Sequence, residues 1–387
     1  SWGGELYSNK SFTIENGTVT YNTARSGGGV YYYTGTSSAV MNGGTISHNE
    51  VTGDGGGVYG FTNVNGGGNI SFTMNAGTIS HNTATENGGG VFFGRNVNNE
   101  STFTINSGEI TGNTAKNGGG VYVHQGSLVL GGCTIANNTA RTNGGGVYNY
   151  GLSPTAVVTM NNSTIRGNMA TANGGGVYNE GKYAVFTLTA GSIVQNTAGS
   201  GRGIYQKGVF NLSGAPVFDP DNDIYLYCNK TKDSGSGINQ VITKAGNINC
   251  PAGSLHVTLG ISDNNFYHGR NIVESGDGTV TEADLGLFTF TNKDAYNRKI
   301  LFERYWPSDN GTNRPVIELF SPTWVGIVTE QPSGFAAGNI DSKEDLAWLI
   351  SFINGYNGSQ PHPDITAVLT ADVDMGEHEW VPIGTGA

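Results

Sequence analysis

The feature that most constrains the fold is a repeat of short apolar segments in the first half of the chain. One copy is FTINSGEITGNTAKNGGGVYV, residues 103–123, and close variants begin at Phe72 and Val158. Each unit holds an alternating apolar triplet, a second apolar segment centred on Val or Ile, and a Val–aromatic pair after a run of glycines. Alternation with a period of two is typical of β-strands, so each unit predicts three short strands.

The spacing of these segments indicates how the units are arranged. The triplet and the Ile-centred segment are always about six or seven residues apart, whereas the stretch from the aromatic to the next triplet varies from about five to thirteen residues. A period of about 24 to 33 residues fits one coil of a β-solenoid with all length variation in one connection. We therefore predict an all-β fold, a parallel β-helix of about eight coils with three strands each, over residues 1–214.

Glycine and asparagine recur at fixed places in the unit. Glycine triplets such as Gly88-Gly89-Gly90 predict a corner that needs positive φ or close backbone approach. A phosphate-binding loop is disfavoured because no Lys-Ser/Thr pair and no helical pattern follows. An Asn lies three residues after each Val or Ile centre, which predicts a ladder of side chains stacked from coil to coil, with a row of ligand-binding amides as the alternative. These residues are Asn22, Asn49, Asn82, Asn113, Asn138, Asn168 and Asn196.

An aromatic residue also recurs once per unit. The column consists of Tyr31, Tyr59, Phe92, Tyr122, Tyr148, Tyr178 and Tyr205. Strand alternation puts each aromatic and the preceding Val or Ile on opposite faces of the sheet. If the aromatics face outward they form a strip suited to stacking on sugar rings, and if they face inward they are core. The sequence leaves both alternatives open.

Composition restricts the partners and the compartment. A net charge of −11, with 13% charged residues and no basic cluster, argues against nucleic acid or an anionic membrane as a partner. No signal peptide or transmembrane run is evident, so we expect no direct membrane insertion by this segment. We interpret it as a part of a longer polypeptide. Cys133 lies in a repeat and is expected to be a small buried residue, whereas Cys228 and Cys250 lie in a turn-rich segment and are candidates for one disulfide.

A resemblance to known repeats extends these expectations. The run GGGVY, followed in the next unit by SFTMNAGTISHNTA at residues 71–84, resembles the repeats of bacterial cell-surface right-handed β-helix proteins. Such repeats are common in adhesin-like proteins and are related to those of polymorphic outer-membrane autotransporters. The resemblance covers residues 1–214 and implies that the parallel β-helix is right-handed. It implies display outside the cell on the bacterial surface, and it supplies no catalytic residues.

The repeat loosens after residue 214. We assign residues 215–322 to an irregular β continuation that caps the solenoid. Asp219, Asp221 and Asp223 are spaced like a calcium loop, but Ile224 occupies the place where an EF-hand needs Gly. A looser structural Ca²⁺ site therefore competes with a solvated turn, and no other cofactor is expected.

Residues 323–387 are predicted to begin a second module, with a helix over 342–354. The helix, LTADVDM and WVPIG together resemble the cap that precedes GLUG-type repeats in bacterial adhesins. Asp372 and Asp374 lie in this motif, so a structural role is favoured over a catalytic carboxylate pair.

Three functions follow from a β-helix of this kind. The first, which we favour, is a non-enzymatic adhesin-like module that binds a glycan or a host protein through the variable connections on one side of the rod. The second is a polysaccharide lyase or glycoside hydrolase, for which Glu109, Arg166, His48 and His81 are the repeat's sparse candidates. The third is ice binding by the hydroxyls of segments such as Thr18-Val19-Thr20, a ladder that Glu109, Arg166 and Val194 interrupt.

Overall fold

The protein is a parallel β-solenoid of about eight regular coils, nearly all β, as seen in a computed structural model. The structure describes residue 4 and residues 6–33, 37–62, 69–95, 101–151, 155–228, 240–261, 270–276, 280–291, 302–306, 316–320, 339–340, 349 and 368–369. The predicted fold class is thereby confirmed. The right-handed sense stays a prediction.

Sheet A contains the first strand of each coil, and its eleven strands pair in parallel in chain order. The strands are Leu6–Ser8, Val30–Tyr33, Val58–Thr62, Val91–Arg95, Val121–His124, Val147–Tyr150, Val177–Glu180, Ile204–Gln206, Ile224–Cys228, Leu255–Ile261 and Phe288–Thr291. We number the coils one to eleven from these strands. Sheet A runs without interruption past residue 214, so the first three coils after the regular repeats share its register.

Sheet B contains the next two strands of each coil. The first B strands are Phe12–Ile14, Ser37–Met41, Ile70–Met74, Thr102–Ile105, Gly126–Leu130 and Ala156–Met160. The second B strands are Thr18–Thr20, Thr45–Ser47, Thr78–Ser80, Glu109–Thr111, Thr134–Ala136 and Ser163–Arg166. In coils seven and eight the two strands fuse into Ala184–Val194 and Val209–Phe218, which are followed by Ile242–Ile248 and Arg270–Ser275.

Sheet C is a short fourth strand that the sequence analysis did not predict. Its strands are Thr23–Ala24, Glu50–Val51, Thr83–Ala84, Thr114–Asn117, Thr139–Asn143 and Met169–Ala170. They follow the ladder asparagines and bury a column of small side chains that includes Ala24, Val51, Ala84 and Ala115. The glycine triplet then returns the chain to sheet A.

Parallel stacking in sheet B ends at Arg270–Ser275, which pairs antiparallel with Val316–Phe320. Val316–Phe320 also pairs antiparallel with Phe302–Trp306. The short helix Glu282–Leu285 lies in the chain between the strands Arg270–Ser275 and Phe288–Thr291. Asn339–Ile340 and Val368–Leu369 form a separate parallel pair. The helix expected at 342–354 lies outside the described residues except for Leu349, which is helical and buried. Asp372 and Asp374 lie outside them as well.

The core is a continuous apolar column enclosed by sheets A and B. It receives the Val or Ile that precedes each aromatic, the centre of each second B strand and alternate residues of each first B strand, such as Val121, Ile110, Phe103 and Ile105, all at most 1% exposed. Since apolar burial is worth about 25 cal/mol per Å², this shared interior is the main stabilising contribution. Each coil buries its faces only against its neighbours, as expected for a solenoid.

Candidate functional site: the outer face of sheet A

The recurring aromatics lie on the outer face of sheet A, yet their ring faces are not open to solvent. The residue before each aromatic points into the core, and the aromatics stack on one another outside it as an aromatic column. Its members are Tyr7, Tyr31, Tyr59, Phe92, Tyr122, Tyr148, Tyr178, Tyr205 and Tyr225. Neither alternative from the sequence describes this arrangement, because the column is outward and still largely buried.

Stacking explains the burial. Consecutive ring centroids lie 4.7 to 5.4 Å apart. From Phe92 to Tyr205 the residues are only 4 to 8% exposed, whereas Tyr7 at the end of the column is 60% exposed. A sugar ring therefore cannot lie flat on an interior member of this column. Only the ring edges, the hydroxyls and the neighbouring residues remain for a partner.

The glycine triplet packs against this column, which explains why the corner excludes side chains. Gly118 has φ +61°, and a Cβ there would lie 2.7 Å from the Val121 carbonyl oxygen and 2.9 Å from Tyr122 Cβ. The next glycine of the triplet has a different constraint: a Cβ at Gly119 would lie 2.6 Å from the Gly145 carbonyl oxygen of the following coil. Both expected reasons for glycine thus apply, at different positions of the triplet.

One place in the aromatic column is irregular. The rings of Tyr148 and Tyr178 are inclined by 48°, whereas the other neighbouring pairs are inclined by at most 27°. Glu180 accepts hydrogen bonds from the hydroxyls of both tyrosines. The carboxylate also accepts a hydrogen bond from Lys207 Nζ, 3.1 Å from Glu180 Oε1.

The tyrosine hydroxyls of the column are hydrogen-bond donors rather than bases. Burial raises the pKa of Tyr148 and Tyr178 well above the ordinary value, and the charge of Glu180 raises both further. Burial likewise raises the pKa of Tyr59, Tyr122 and Tyr205. A phenolate base is therefore disfavoured at neutral pH, because the ionised ring would lack solvation.

A second outer column runs beside the first, two residues further along each sheet A strand and next to the variable connections. It consists of Tyr33, Phe61, Gly94, His124, Tyr150, Glu180, Lys207 and Tyr227. Its side chains are half-buried and pack on the aromatic column, as in the pairs Tyr122–Tyr150, with centroids 6.3 Å apart, and Tyr205–Tyr227, 6.2 Å apart. This column was not singled out in the sequence, because its residue types change from coil to coil.

The connections that leave this edge differ greatly in length. Several contain segments outside the described residues, namely 34–36, 63–68, 96–100, 152–154 and 229–239. Among coils six to nine, the connections from sheet A to sheet B are shortest in coils seven and eight, over residues 181–183 and 207–208. Lys182 and the 40% exposed Tyr183 lie on the first of these short returns.

The ladder asparagines lie at the opposite corner, between the second B strands and sheet C. Each Nδ2 donates to the Oδ1 of the next coil at 2.9 to 3.0 Å, from Asn22 to Asn196. Each backbone N–H donates to the same Oδ1, as from Asn82 to Asn113 at 2.9 Å. Asn49 to Asn196 are 0 to 1% exposed, so their amides serve the fold and offer no surface to a ligand.

The ladder continues into the segment that resembles a calcium loop. Asn196 donates to Asn222 Oδ1 at 2.9 Å, and Asn222 is fully buried. The three carboxylates contact groups of preceding residues, and Asp221 and Asp223 both contact Arg202. Asp219 accepts from the Gln195 N–H at 2.6 Å, Asp223 accepts from the Arg202 N–H at 2.7 Å, and Asp221 lies 3.7 Å from the Arg202 guanidinium.

No group of three or more His, Cys, Asp or Glu side chains is placed to hold a metal in the described part of the chain. The Asp219, Asp221 and Asp223 carboxylates are thus not brought together as a ligand set. The Cys250 thiol donates to the Pro216 carbonyl oxygen at 3.1 Å. The side chain of Cys228 lies outside the described residues, so the candidate disulfide between the two stays a prediction. Cys133 is buried and free, as a small interior residue.

The other candidates from the sequence lie apart on sheet B. Glu109 is in register with Thr78 and Thr134, whereas Arg166 is in register with Ala136, so the two occupy different columns. His48 and His81 do meet: their rings stack at 5.1 Å, with Tyr21 stacked 5.0 Å from His48. All three have φ between 54° and 57° at the turn before the ladder Asn, and all three are exposed.

Comparison with models of protein families, with curated proteins and with solved structures finds no match to this chain. Among the described residues, no helix has the length and apolar character needed to cross a membrane.

Proposed function

We propose that the protein is an extracellular binding and display module of a bacterial surface, which binds a glycan or a host protein through the outer face of sheet A and the connections beside it. One observation carries the proposal. The solenoid interior is closed by its own apolar column, and two further columns rich in aromatic residues lie outside it, along the same edge from which every variable connection leaves. Aromatic side chains on the outer surface are typical of recognition surfaces.

The rigidity of the scaffold supports this role. Inter-coil hydrogen bonds in three sheets and the buried Asn ladder fix the register of each coil, so the connections are held at regular intervals of about 4.8 Å along the axis. Repeat proteins commonly place their binding residues on one such side. The resemblance to bacterial surface repeats adds the extracellular location and the adhesin-like class to the proposal.

A polysaccharide-cleaving enzyme is the alternative, and the described residues favour it less. Glu109 and Arg166 lie in separate columns, and the buried tyrosines hold their protons. Ice binding is weaker still, because Glu109 and Arg166, both exposed, interrupt the hydroxyl columns of sheet B. Neither alternative has a specific observation in its favour.

A binding experiment with the intact protein tests the proposal. The protein is applied to a printed array of glycans and host extracellular proteins, and bound glycans are then examined by mass spectrometry. Retention without cleavage is the expected result. Shortened glycans would replace the proposal by the enzymatic alternative, and retention of neither glycans nor proteins would contradict it.

A loop exchange locates the binding side. Replacing the connection 63–69 of coil three by the short return Gly181-Lys182-Tyr183 of coil seven should weaken retention if the connections contact the partner. The matched control is a substitution of exposed His81, which lies on the opposite side of the same coil. Equal retention by all three proteins would place the partner elsewhere.

A further inference from the structure

The most distinctive part of the outer face lies in coils six to nine. There the second outer column reads Tyr150, Glu180, Lys207, Tyr227, so an ion pair is placed between two half-buried tyrosines. Since each coil advances about 4.8 Å, the two tyrosines are separated by about three coil spacings along the axis. An ion pair with an aromatic ring on each side is a combination that the other described residues of this column do not repeat.

Two features distinguish this region from the rest of the column. The stacking of Tyr148 on Tyr178 is opened to 48°, and both hydroxyls turn to Glu180. Lys207 Nζ lies 3.1 Å from Glu180 and 5.1 Å from the centre of the Tyr227 ring. The connections of coils seven and eight are the short returns 181–183 and 207–208, as is residue 125 in coil five, so the chain leaves little to cover the column there.

The charges of this region select a class of ligand. The Glu180 carboxylate and the Lys207 ammonium are 25% and 26% exposed, so both are partly accessible and compensate each other. A strongly anionic ligand would meet the carboxylate, and a strongly cationic ligand would meet the ammonium. An uncharged polyol avoids both penalties, because its hydroxyls can donate to Glu180 and accept from Lys207.

The aromatic residues narrow that class to sugars. Tyr150 and Tyr227 are held by contacts with their neighbours, Tyr150 with Tyr122 at 6.3 Å and Tyr227 with Tyr205 at 6.2 Å, so little side-chain entropy remains to be lost on binding. The apolar C–H face of a pyranose packs on such rings. A coil spacing of about 4.8 Å is also close to the length of one pyranose residue, so a glycan parallel to the axis meets successive coils with successive sugars.

We propose that Tyr150, Glu180, Lys207 and Tyr227 form a subsite for a neutral glycan chain that lies along the solenoid axis. The subsite rests on the proposed binding function of this face and specifies the ligand for it. Tyr150 and Tyr227 supply the packing surfaces at the two ends, and Glu180 and Lys207 supply the hydrogen bonds between them. Tyr148 and Tyr178 hold the Glu180 carboxylate in place as donors.

Affinity electrophoresis of the intact protein tests this subsite. Each native gel is cast with one polysaccharide. The neutral probes are galactomannan, xyloglucan and dextran, and the acidic probe is polygalacturonate. Retardation by at least one neutral probe and weaker retardation by polygalacturonate are expected. Tyr150→Ala and Tyr227→Ala should each raise the dissociation constant about tenfold. Glu180→Gln should raise it less, since the amide retains one acceptor.

Two control variants separate ring packing from loss of fold. Tyr150→Phe keeps the ring and should bind nearly as the unmodified protein does. Tyr21→Ala removes an exposed tyrosine at the opposite corner of the solenoid, next to His48, and should bind equally well. The melting temperature of each variant, measured by circular dichroism, shows whether a loss of binding follows a loss of structure.

The outcomes also separate this subsite from the proposed function. If Tyr150→Ala and Tyr227→Ala bind a neutral probe unchanged while the loop exchange in coil three loses binding, the subsite is wrong and the binding function stands. Stronger retardation by polygalacturonate, or no retardation by any neutral probe, also overturns the subsite. Failure of the glycan and protein arrays as well would remove both.

Discussion

At the scale of single residues, chains of amide hydrogen bonds fix the register of the coils. In the inner ladder, which is formed by the buried asparagines from Asn22 to Asn196, each Oδ1 accepts from a backbone N–H group of the preceding coil. The Nδ2 of the same side chain therefore points to the coil that follows and donates to it. Two outer ladders run in the other direction. One begins with Asn42, which donates to Glu15, and the other begins with Asn87, which donates to Asp54. Because a carboxylate only accepts, the amide of each later coil also donates to the residue of the coil before it.

Removing one inner amide should be costly. Asn113 Oδ1 accepts from Asn82 N and Nδ2, and Asn113 Nδ2 donates to the Ile79 carbonyl. Asn113→Ala leaves these buried groups without partners, and we expect a loss of about 2–4 kcal/mol of unfolding free energy. Urea denaturation followed by circular dichroism measures it. The control is Asn106→Ala in the same coil, an exposed outer-ladder residue, which should change stability little.

Asp54 gives a prediction of pH dependence. Its half-buried carboxylate has a raised pKa, mainly because burial disfavours the charge, although hydrogen bonds from Asn87 oppose this. A raised folded pKa means that the folded state binds the proton more tightly than the unfolded chain. Stability from this group is therefore fully present below the ordinary Asp pKa of about 3.9 and is lost as the pH rises through the raised value.

Asp54→Asn should consequently be more stable than the unmodified protein at neutral pH, with the difference shrinking as the pH falls through the raised pKa and levelling off below about 4. Melting temperatures at a series of pH values measure this, with exposed Glu109→Gln as the control carboxylate. A difference between the Asp54 variant and the unmodified protein that stays constant with pH would contradict the assignment.

The sequence could predict the ladder but not its full extent. Six of the seven steps from Asn22 follow from the rule that Asn comes three residues after the apolar centre, and the seventh, Asn222, comes four residues after Phe218. That extra residue concealed the ladder and made Asp219, Asp221 and Asp223 resemble a calcium loop. Spacing alone does not distinguish a carboxylate that binds metal from one that accepts backbone N–H groups.

At the scale of elements, the end of regular stacking is marked by a charge inside the core. Lys244 is in register with Leu212 of the previous coil, and its ammonium lies 2.8 Å from Asp284 of the helix Glu282–Leu285. The side chains are 4% and 9% exposed. The same carboxylate oxygen accepts from Thr281 N and Oγ1 at 2.7 and 3.0 Å, so the helix is capped and docked by one group.

Breaking this pair on one side should destabilise the end of the solenoid. Asp284→Ala leaves the Lys244 ammonium buried without its carboxylate, and we expect a cost of about 3–5 kcal/mol. The double variant Lys244→Met, Asp284→Asn removes both charges and retains an acceptor for Thr281, so most of the loss should be recovered. Thermal unfolding of the two variants checks this order, and a double variant no more stable than Asp284→Ala would contradict it.

The strands of sheets A and B could be predicted from alternation, whereas sheet C could not. Its strands are two to five residues long and bury one small residue each, such as Ala84 or Ala115, so no alternating apolar pattern is visible. The aromatic column had the opposite difficulty. Alternation showed that it faces away from Val121 and its equivalents, but only the stacking of coil on coil shows that outward rings are buried by one another.

At the scale of the whole molecule, stability is distributed along a line rather than around one centre. Each coil packs on the coils before and after it, so loss of one coil's contacts affects its neighbours most. The first coil illustrates this: Leu6, Phe12, Ile14 and Val19 are only partly buried, whereas their equivalents in later coils are fully buried. Such a chain should open from its ends before its middle.

A core substitution in the middle of the rod distinguishes local from global cooperativity. Ile110 is fully buried in coil four, and Ile110→Ala should cost about 2–5 kcal/mol. If stability is a sum of neighbour contacts, hydrogen exchange followed by mass spectrometry should show the largest loss of protection in coils three to five and little change in coil eight. The substitution Thr104→Ala, at a partly exposed residue on the outer face of the adjacent strand, should leave the profile unchanged. An equal loss of protection in every coil would instead show that the solenoid unfolds as one unit, and the binding side would then respond to a change anywhere along its length.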